Sequence, residues 1–378
     1  MTTLSAAVRH APPHRAGFTV VSYAQAIRPG VTHDLLPFGR CRIARIPAEA
    51  RARRRVLFIA KHVFWQGGRH GEDGNHAVYH REIRSVLEEL DLDLALADSY
   101  EALFSDPGCD FLFPLLNRGG FLNSEMLLPL LATRLGLPFL GASPILRGLA
   151  DDKHLTKLEA QARSIPTAPW AIYRRGAPVS DALCPQADRL VIKPNASSAS
   201  WGVRDAGDWA GTRQAIAEIH EEGHDAIVEP FLDGNDVEVP VITCGGMPAI
   251  MPMMLFEQAD TSHLRTYGEK RDLVDRGQKY RLVPFGSHDV AERIAAFTRS
   301  MASTYFPFDY GRFEFRFDER SGAIHFMEVN LNCNLWSEKV FGRSANLLGW
   351  SHADLIETIL CESMVRQGLT ADLATMAA

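Results

Sequence analysis

The chain has 378 residues, 46% hydrophobic and 23% charged, with 40 Lys and Arg against 46 Asp and Glu and a formal charge of −6. That composition excludes a disordered or collagen-like chain, and so mild a charge points to no nucleic-acid or membrane partner. At about 100–200 residues per domain, the length accommodates two or three domains, each with its own core. Cys41, Cys109, Cys184, Cys244, Cys333 and Cys361 lie far apart with no CxxC pair. Such spacing suits free thiols in a reducing compartment better than a disulfide frame or a zinc site. No apolar run approaches the ~20 residues that span a bilayer, and residues 1–18 carry no signal-like hydrophobic stretch. The expected location is the cytoplasm.

In chain order, residues 1–54 read as an appendage rich in Pro, Arg and Ala, with a strand at Phe18–Tyr23 and a basic run, Arg51–Arg55, taken as a solvated linker. Val56–Ala60 predicts a short buried strand, followed by a Gly-rich loop, Gln66–Asn75, and a helix bearing Ile83, Val86, Leu87 and Leu90 on one face. Further strands are expected at Leu92–Ala97 and Asp110–Leu116, then a helix capped by Ser124 with Leu127, Leu128, Leu131 and Leu135 along one side. Alternating strands and helices argue for a parallel sheet wound by helices, hence an α/β class.

A second unit begins near Gly148, where Asp151 or Asp152 caps a helix that puts Lys153 and Lys157 on one face. Pro166 and Pro169 end that segment, and Leu190–Pro194 forms a strand leading into the small-residue loop 195–202. A polar helix at Trp209–Glu222, a strand at Ala226–Leu232, a turn at Asp233–Gly234 and a continuation of the same sheet through Val237–Thr243 follow. Residues 256–282 are polar and poorly periodic, as expected of a long loop serving as a lid. An amphipathic helix over 289–302 precedes two final strands.

The chemistry concentrates in those strands. Strict alternation puts Phe313, Phe315 and Phe317 on a core face and Arg312, Glu314 and Arg316 on the other; Glu328 and Asn330 share a face of the return strand. Two carboxylates and an amide oxygen make a hard ligand set suited to Mg²⁺ on nucleotide phosphates, although a solvent-facing hairpin has the same pattern. Lys193 ends a strand just before Ser197–Gly202, whose N–H groups and hydroxyls could meet an anion, and Lys153 could reach the same phosphates. Neither a GxxxxGK[ST] nor a GxGxxG motif accompanies these lysines.

Taken in order, Asp152-Lys153 with Lys157, Ile192-Lys193-Pro194 closing on Trp201-Gly202-Val203, Glu229-Pro230-Phe231-Leu232, and Gly311 to Arg316 with Glu328-Val329-Asn330 resemble the ATP-grasp superfamily. The similarity is to its D-alanine–D-alanine ligase branch and covers roughly residues 55–360. It implies an ATP-grasp fold behind an N-terminal parallel-sheet domain, divided as 1–54, 55–147, 148–232, 233–366 and a tail, 367–378. By that resemblance Lys153, Lys193 and the lid lysine Lys270 hold ATP phosphates, Glu229 and Leu232 lie at the adenine edge, and Asp236 lies by the ribose. Glu314, Glu328 and Asn330 bind two Mg²⁺ ions, with Mn²⁺ an acceptable substitute. Arg312, Lys270 and Ser200 serve catalysis. The implied reaction activates a carboxylate as an acylphosphate, which an amine attacks to give an amide with release of ADP and phosphate. A homodimer is a family-level expectation.

The substrate side departs from that pattern. The family's ammonium-gripping Glu aligns with Gly74, beside Glu72 and Asp73; its substrate-side His aligns with Asn117, next to Arg118; and Cys333-Asn334 replaces Pro-Gly. Where the family has Asp, this chain has Glu314, and its phosphate loop is Ser-rich, with Trp201 narrowing it. Candidates for a rebuilt pocket are Arg69, His70, Glu72, His76, Tyr79, His80, Asn117 and Arg118, with Asn334, Ser337 and Lys339 toward the second substrate. The expected activity is therefore an amide-forming ligase other than a standard cell-wall dipeptide ligase, in specialised metabolism. The competing reading is a nucleotide-binding sensor or partner subunit that has lost catalysis, and a third has ammonia or a thiol attacking the acylphosphate.

Overall fold

The structure is a computed structural model that describes residues 36–116, 124–274 and 280–370. The expected strand at Phe18–Tyr23 and the candidates Asn117 and Arg118 lie outside them. Helix α1 (Ala48–Arg53) leads into β1 (Arg55–Ile59), α2 (His76–Glu89), β2 (Asp93–Ala97) and β3 (Phe111–Pro114). These strands pair in parallel in the order β2-β1-β3, as the alternating pattern indicated. Central β1 serves two cores: Val56 and Phe58 face Ile83, Leu87 and Phe113, while Leu57 and Ile59 face Leu103, Leu112 and Leu128.

Residues 44–53, expected to belong to an appendage, join the first of these cores. Ala44, Ile46 and Ala50 are buried there. Arg45 and Arg51 both ion-pair with Glu357, which also accepts the Ile46 backbone N–H at 3.0 Å. Glu357 is only 1% exposed, and a buried carboxylate needs such partners. Arg51 is therefore a clasp rather than part of a solvated linker.

Helix α3 (Leu127–Arg134) follows a single 3₁₀ turn, Ser124–Met126, so Met126 rather than the expected Ser124 holds the capping position. Helix α4 (Pro144–Asp151) contains Gly148 and ends where Asp152 becomes extended. Asp152 then caps α5 (Lys153–Ala162), accepting the Leu155 N–H at 2.9 Å. Next come β4 (Ala171–Tyr173), β5 (Leu190–Pro194), β6 (Arg204–Ala206), α6 (Trp209–Glu221) and β7 (Ala226–Pro230). They form an antiparallel sheet in the order β4-β7-β5-β6, covered by Ile216 and Ile219 of α6.

The remaining strands build a separate sheet. They are β8 (Asn235–Cys244), β9 (Met247–Ile250), β10 (Met254–Gln258), β11 (Tyr280–Pro284), β12 (Tyr310–Asp318) and β13 (Ala323–Asn330). Their order is β11-β10-β8-β12-β13, with β9 beside β8. Val237–Thr243 thus starts a new sheet instead of continuing that of Ala226–Pro230. The chain changes direction at Gly234, whose φ is +105° and where a Cβ would meet the Phe317 carbonyl oxygen at 2.2 Å.

The segment expected to be one long loop is also more ordered than its polarity suggested. Phe256 pairs with Leu282 and Gln258 with Tyr280, and between them runs the single turn α7 (Tyr267–Lys270), closed by a Thr266/Glu269 capping box. The Phe256 and Tyr280 rings meet edge to face at 5.4 Å while Glu257 and Arg281 pair on the exposed side, which is why the strand reads as charged.

Helix α8 (His288–Tyr305) packs Ile294, Met301 and Tyr305 on the apolar face formed by Phe313, Phe315, Phe317, Val237, Val239 and Val241. Helices α9 (Val340–Leu347) and α10 (His352–Arg366) return to the first core, to which α10 contributes Leu355, Ile356, Ile359 and Leu360. Buried Asp309 fastens α10 in place, accepting from Gly141 N at 2.6 Å, Ser363 Oγ at 2.6 Å and Arg366 Nε at 2.9 Å. Among the described residues no helix is long and apolar enough to cross a membrane.

Candidate active site

Opposite the α8 face, strand register brings three glutamates into one row. Glu314 pairs across β12 and β8 with Glu238, and across β12 and β13 with Glu328. Like charges directly opposite one another in a sheet repel, so a row of three requires cations. Arg312 supplies one: its Nε lies 2.9 Å from Glu238 Oε2, and its Nη2 reaches Glu314 Oε1 at 2.5 Å. Lys153 Nζ lies 3.5 Å from Glu328 Oε2 and donates to the Ser197 carbonyl at 2.8 Å.

Burial pushes Glu314 up to about 8, with Glu328 and Glu238 adding to the effect against the opposing pull of Arg312. Glu328 is held below the ordinary carboxylate range despite burial, through Lys153 and Lys193. A row of hard oxygen donors fits a divalent cation such as Mg²⁺. Asn330, whose Oδ1 accepts the Asn332 N–H at 2.9 Å, stands next along the same face of β13.

A second charged group lies below β5. Glu229 is 2% exposed, with Lys157 Nζ at 2.8 Å on one oxygen and Lys193 on the other. Although burial opposes ionisation, the two lysines hold Glu229 down at about 2. Lys157 is completely buried and also donates to Thr167 Oγ1 at 2.9 Å. Lys153 is set by its helix start: its own N–H reaches the Asn195 carbonyl at 3.1 Å, and His154 N–H reaches Asn195 Oδ1 at 2.9 Å. The loop that follows β5 carries Ala199 and Ser200 at φ +53° and +59°, a region that favours glycine.

The cleft has two connected compartments that share Lys153, Ser197–Ala199, Lys270, Glu314 and Glu328. One is lined by Lys193, Ser200, Glu229, Phe231, Leu232 and Asp236. Asp236 carries Arg265 on one oxygen and Arg316 at 2.9 Å on the other. Lys270, expected on a lid, lines both compartments, and burial lowers its pKa, with Arg265 adding to the effect. The other compartment is lined by His76, Tyr79, Arg147, Asn334 and Lys339 beside Arg312 and Asn330.

Several sequence candidates lie elsewhere. Arg69 and Glu72 are exposed, and neither they, His70, His80 nor Ser337 line the cleft. Ser337 instead donates its N–H to Glu82 at 3.2 Å. At Gly74, φ is +56° and a Cβ would lie 1.8 Å from the Arg271 carbonyl oxygen, so no side chain fits there. Cys333 lines the cleft, but burial pushes its thiol up to about 12, which disfavours the thiolate at neutral pH. Lys157, singled out with Lys153, was given no role of its own, and Glu238, Arg147 and Arg265 were missed. Of the missed residues, Glu238 had a visible signal, its spacing of two from Asp236 on the same strand.

The model of the family described as D-ala D-ala ligase C-terminus matches residues 161–361, just over half of the chain. The chain belongs to this family. The D-alanine–D-alanine ligase of Synechococcus sp. strain JA-3-3Ab is 25% identical over 325 residues, covering 82% of this chain and 95% of the relative. An uncharacterized protein of Sinorhizobium fredii, y4sG, is 28% identical over 239 residues, 61% of this chain and 68% of the relative. Among solved structures, the Bacillus anthracis D-alanine–D-alanine ligase complexed with ATP superposes with a TM-score of 0.65 at 16% identity, over 84% of this chain and 99% of that one. The VanG D-Ala:D-Ser ligase of Enterococcus faecalis gives 0.62 at 15%, over 82% and 99%. The fold is thus that of the ATP-grasp ligases, an α/β architecture with a parallel sheet ahead of two antiparallel ones.

Proposed function

We propose that the protein is an ATP- and Mg²⁺-dependent carboxylate–amine ligase that joins a small carboxylic acid, of the amino-acid class, to an amine. The observation that carries this reading is the row Glu238, Glu314 and Glu328 beside Arg312, with Lys153, Lys193 and Lys270 around the same cleft. Family membership and the ligase relatives support it.

Lys153 and Lys193 hold nucleotide phosphates, and Lys270 covers them from the turn above. Phe231 and Leu232 flank the base, and Ser200 and its neighbours offer N–H groups to the phosphates. Glu314, Glu328 and Asn330 would hold Mg²⁺, which when bound neutralises charge on the transferring phosphoryl group. Arg312 lies where charge develops, first on the phosphoryl oxygens and later on the oxyanion of the tetrahedral adduct. A carboxylate is a poor electrophile; taking the γ-phosphoryl from ATP makes an acylphosphate and releases ADP, the amine's lone pair attacks its carbonyl carbon, phosphate leaves, and the nitrogen's proton passes to solvent. Tyr267–Lys270 and the strands beside it exclude the water that would hydrolyse the acylphosphate.

Gly74 offers no carboxylate for a substrate ammonium, which supports an acid other than the one that standard dipeptide ligases take. His76, Tyr79 and Arg147 supply the wall there, and Lys339 suits an anionic second substrate. The test is ADP release against a panel of acid and amine pairs. Turnover should require both substrates, stop on chelation of Mg²⁺ and fall at least about 10³-fold in Glu328→Gln, which removes a charged ligand. ADP release that is independent of any acid, or unaffected by Glu328→Gln, overturns the reading.

A further inference from the structure

Outside the cleft, the loop between β1 and α2 gathers histidines. His62, His70 and Asp73 each bring a ligand-type atom within 4.8 Å of the other two. His62 is 8% exposed, its Nε2 stands 2.7 Å from Asp73 Oδ2, and its ring centroid lies 4.5 Å from that of His70. The group is braced from behind. The His62 N–H donates to Nδ1 of buried His80 at 3.3 Å, and the two rings stack at 5.7 Å. His70 and Gly74 exchange backbone hydrogen bonds at 2.9 and 2.8 Å, while Glu72 N–H meets His70 Nδ1 at 3.2 Å. The position already attracts positive charge. Lys61 reaches Asp73, and despite burial Lys61 and His62 hold that carboxyl below its ordinary range.

We propose that His62, His70 and Asp73 form a binding site for a transition-metal dication of the zinc class, separate from the glutamate row. Two imidazoles and one carboxylate are a borderline donor set that selects Zn²⁺ and its neighbours, whereas the all-oxygen row selects Mg²⁺. Three protein ligands leave a fourth position for water. Bonds of about 2.0–2.1 Å in tetrahedral geometry put ligand atoms roughly 3.3 Å apart, between the 2.7 Å of the present hydrogen bond and the 4.8 Å outer limit. Entry of the cation displaces the proton between His62 Nε2 and Asp73, which passes to solvent. It also frees Lys61, whose side chain is 58% exposed and readily rehydrated. The same loop meets the turn above the cleft, through Asn75 N–H to the Arg271 carbonyl at 3.1 Å and Asn75 Nδ2 to Asp272 at 2.7 Å.

The test uses the full-length protein, stripped with a chelator and dialysed. Zn²⁺ is titrated by calorimetry and Co²⁺ by visible absorption, with the emission of Trp65, whose ring is 5.0 Å from that of His70, taken as the difference between wild type and Trp65→Phe. Saturable binding of one equivalent is expected, with four-coordinate Co²⁺ bands and a change in Trp65 emission. His70→Gln and Asp73→Asn should each weaken that binding at least about tenfold, while the exposed control His288→Gln leaves it unchanged. Thermal melts of both variants verify their fold. Absence of saturable binding, or binding that His70→Gln and Asp73→Asn leave unaltered in folded protein, overturns the proposal.

Discussion

Replacing Glu229 by Gln removes one charge from beneath the cleft at nearly constant volume. The carboxylate is 2% exposed and lies between Lys193 and fully buried Lys157, so its loss leaves two ammonium groups with no counter-ion at that point. The lysines hold Glu229 at about 2 where an unperturbed glutamate titrates at 4.5. Removing one partner of a buried ion pair costs on the order of 3 kcal/mol, because the other partner is left as an uncompensated buried charge. Urea unfolding at pH 7 should therefore show the variant about 3 kcal/mol less stable with an unchanged slope. Because the folded pKa is depressed, the wild-type advantage is fully present above pH 4.5 and disappears as pH falls toward about 2. A loss below about 1 kcal/mol, or an advantage that stays constant through acid titration, would refute the assigned coupling.

Gly74→Ala should destabilise the contact between the first loop and the Tyr267–Lys270 turn, because its Cβ would lie 1.8 Å from the Arg271 carbonyl oxygen at a φ of +56°. A loss of about 2 kcal/mol or more in thermal unfolding is expected, with a raised KM for the acid substrate. Glu357→Gln should cost about 3 kcal/mol by opening the clasp to Arg45 and Arg51, and limited proteolysis should then cut within residues 40–54 faster than in wild type. Equal cleavage rates would show that this segment does not depend on the clasp.

Much of the scaffold was legible because burial imposes periodicity. The alternation of Phe313, Phe315 and Phe317 against Arg312, Glu314 and Arg316 gave the face of β12 directly, and Lys153 followed from the cap at Asp152. What one strand cannot reveal is its neighbour. Glu238 looked like one charge among several until register set it opposite Glu314, and Val237–Thr243 was assigned to the wrong sheet for the same reason. The region 256–282 was read as loop because its strands carry Glu257 and Arg281 outward, hiding the Phe256–Tyr280 contact. Arg51 looked solvated because its partner, Glu357, lies 306 residues away in sequence. On the substrate side, Gly74 was recognised as a departure, but its reason is a close approach of backbone from a distant turn, which no local pattern encodes.

The nucleotide products distinguish an acylphosphate route from an adenylate route most directly. Wild-type protein with Mg²⁺, ATP and a productive acid and amine should release ADP and phosphate, each in a one-to-one ratio to the amide formed. Release of AMP and pyrophosphate, or amide formed without ADP, would contradict an acylphosphate route.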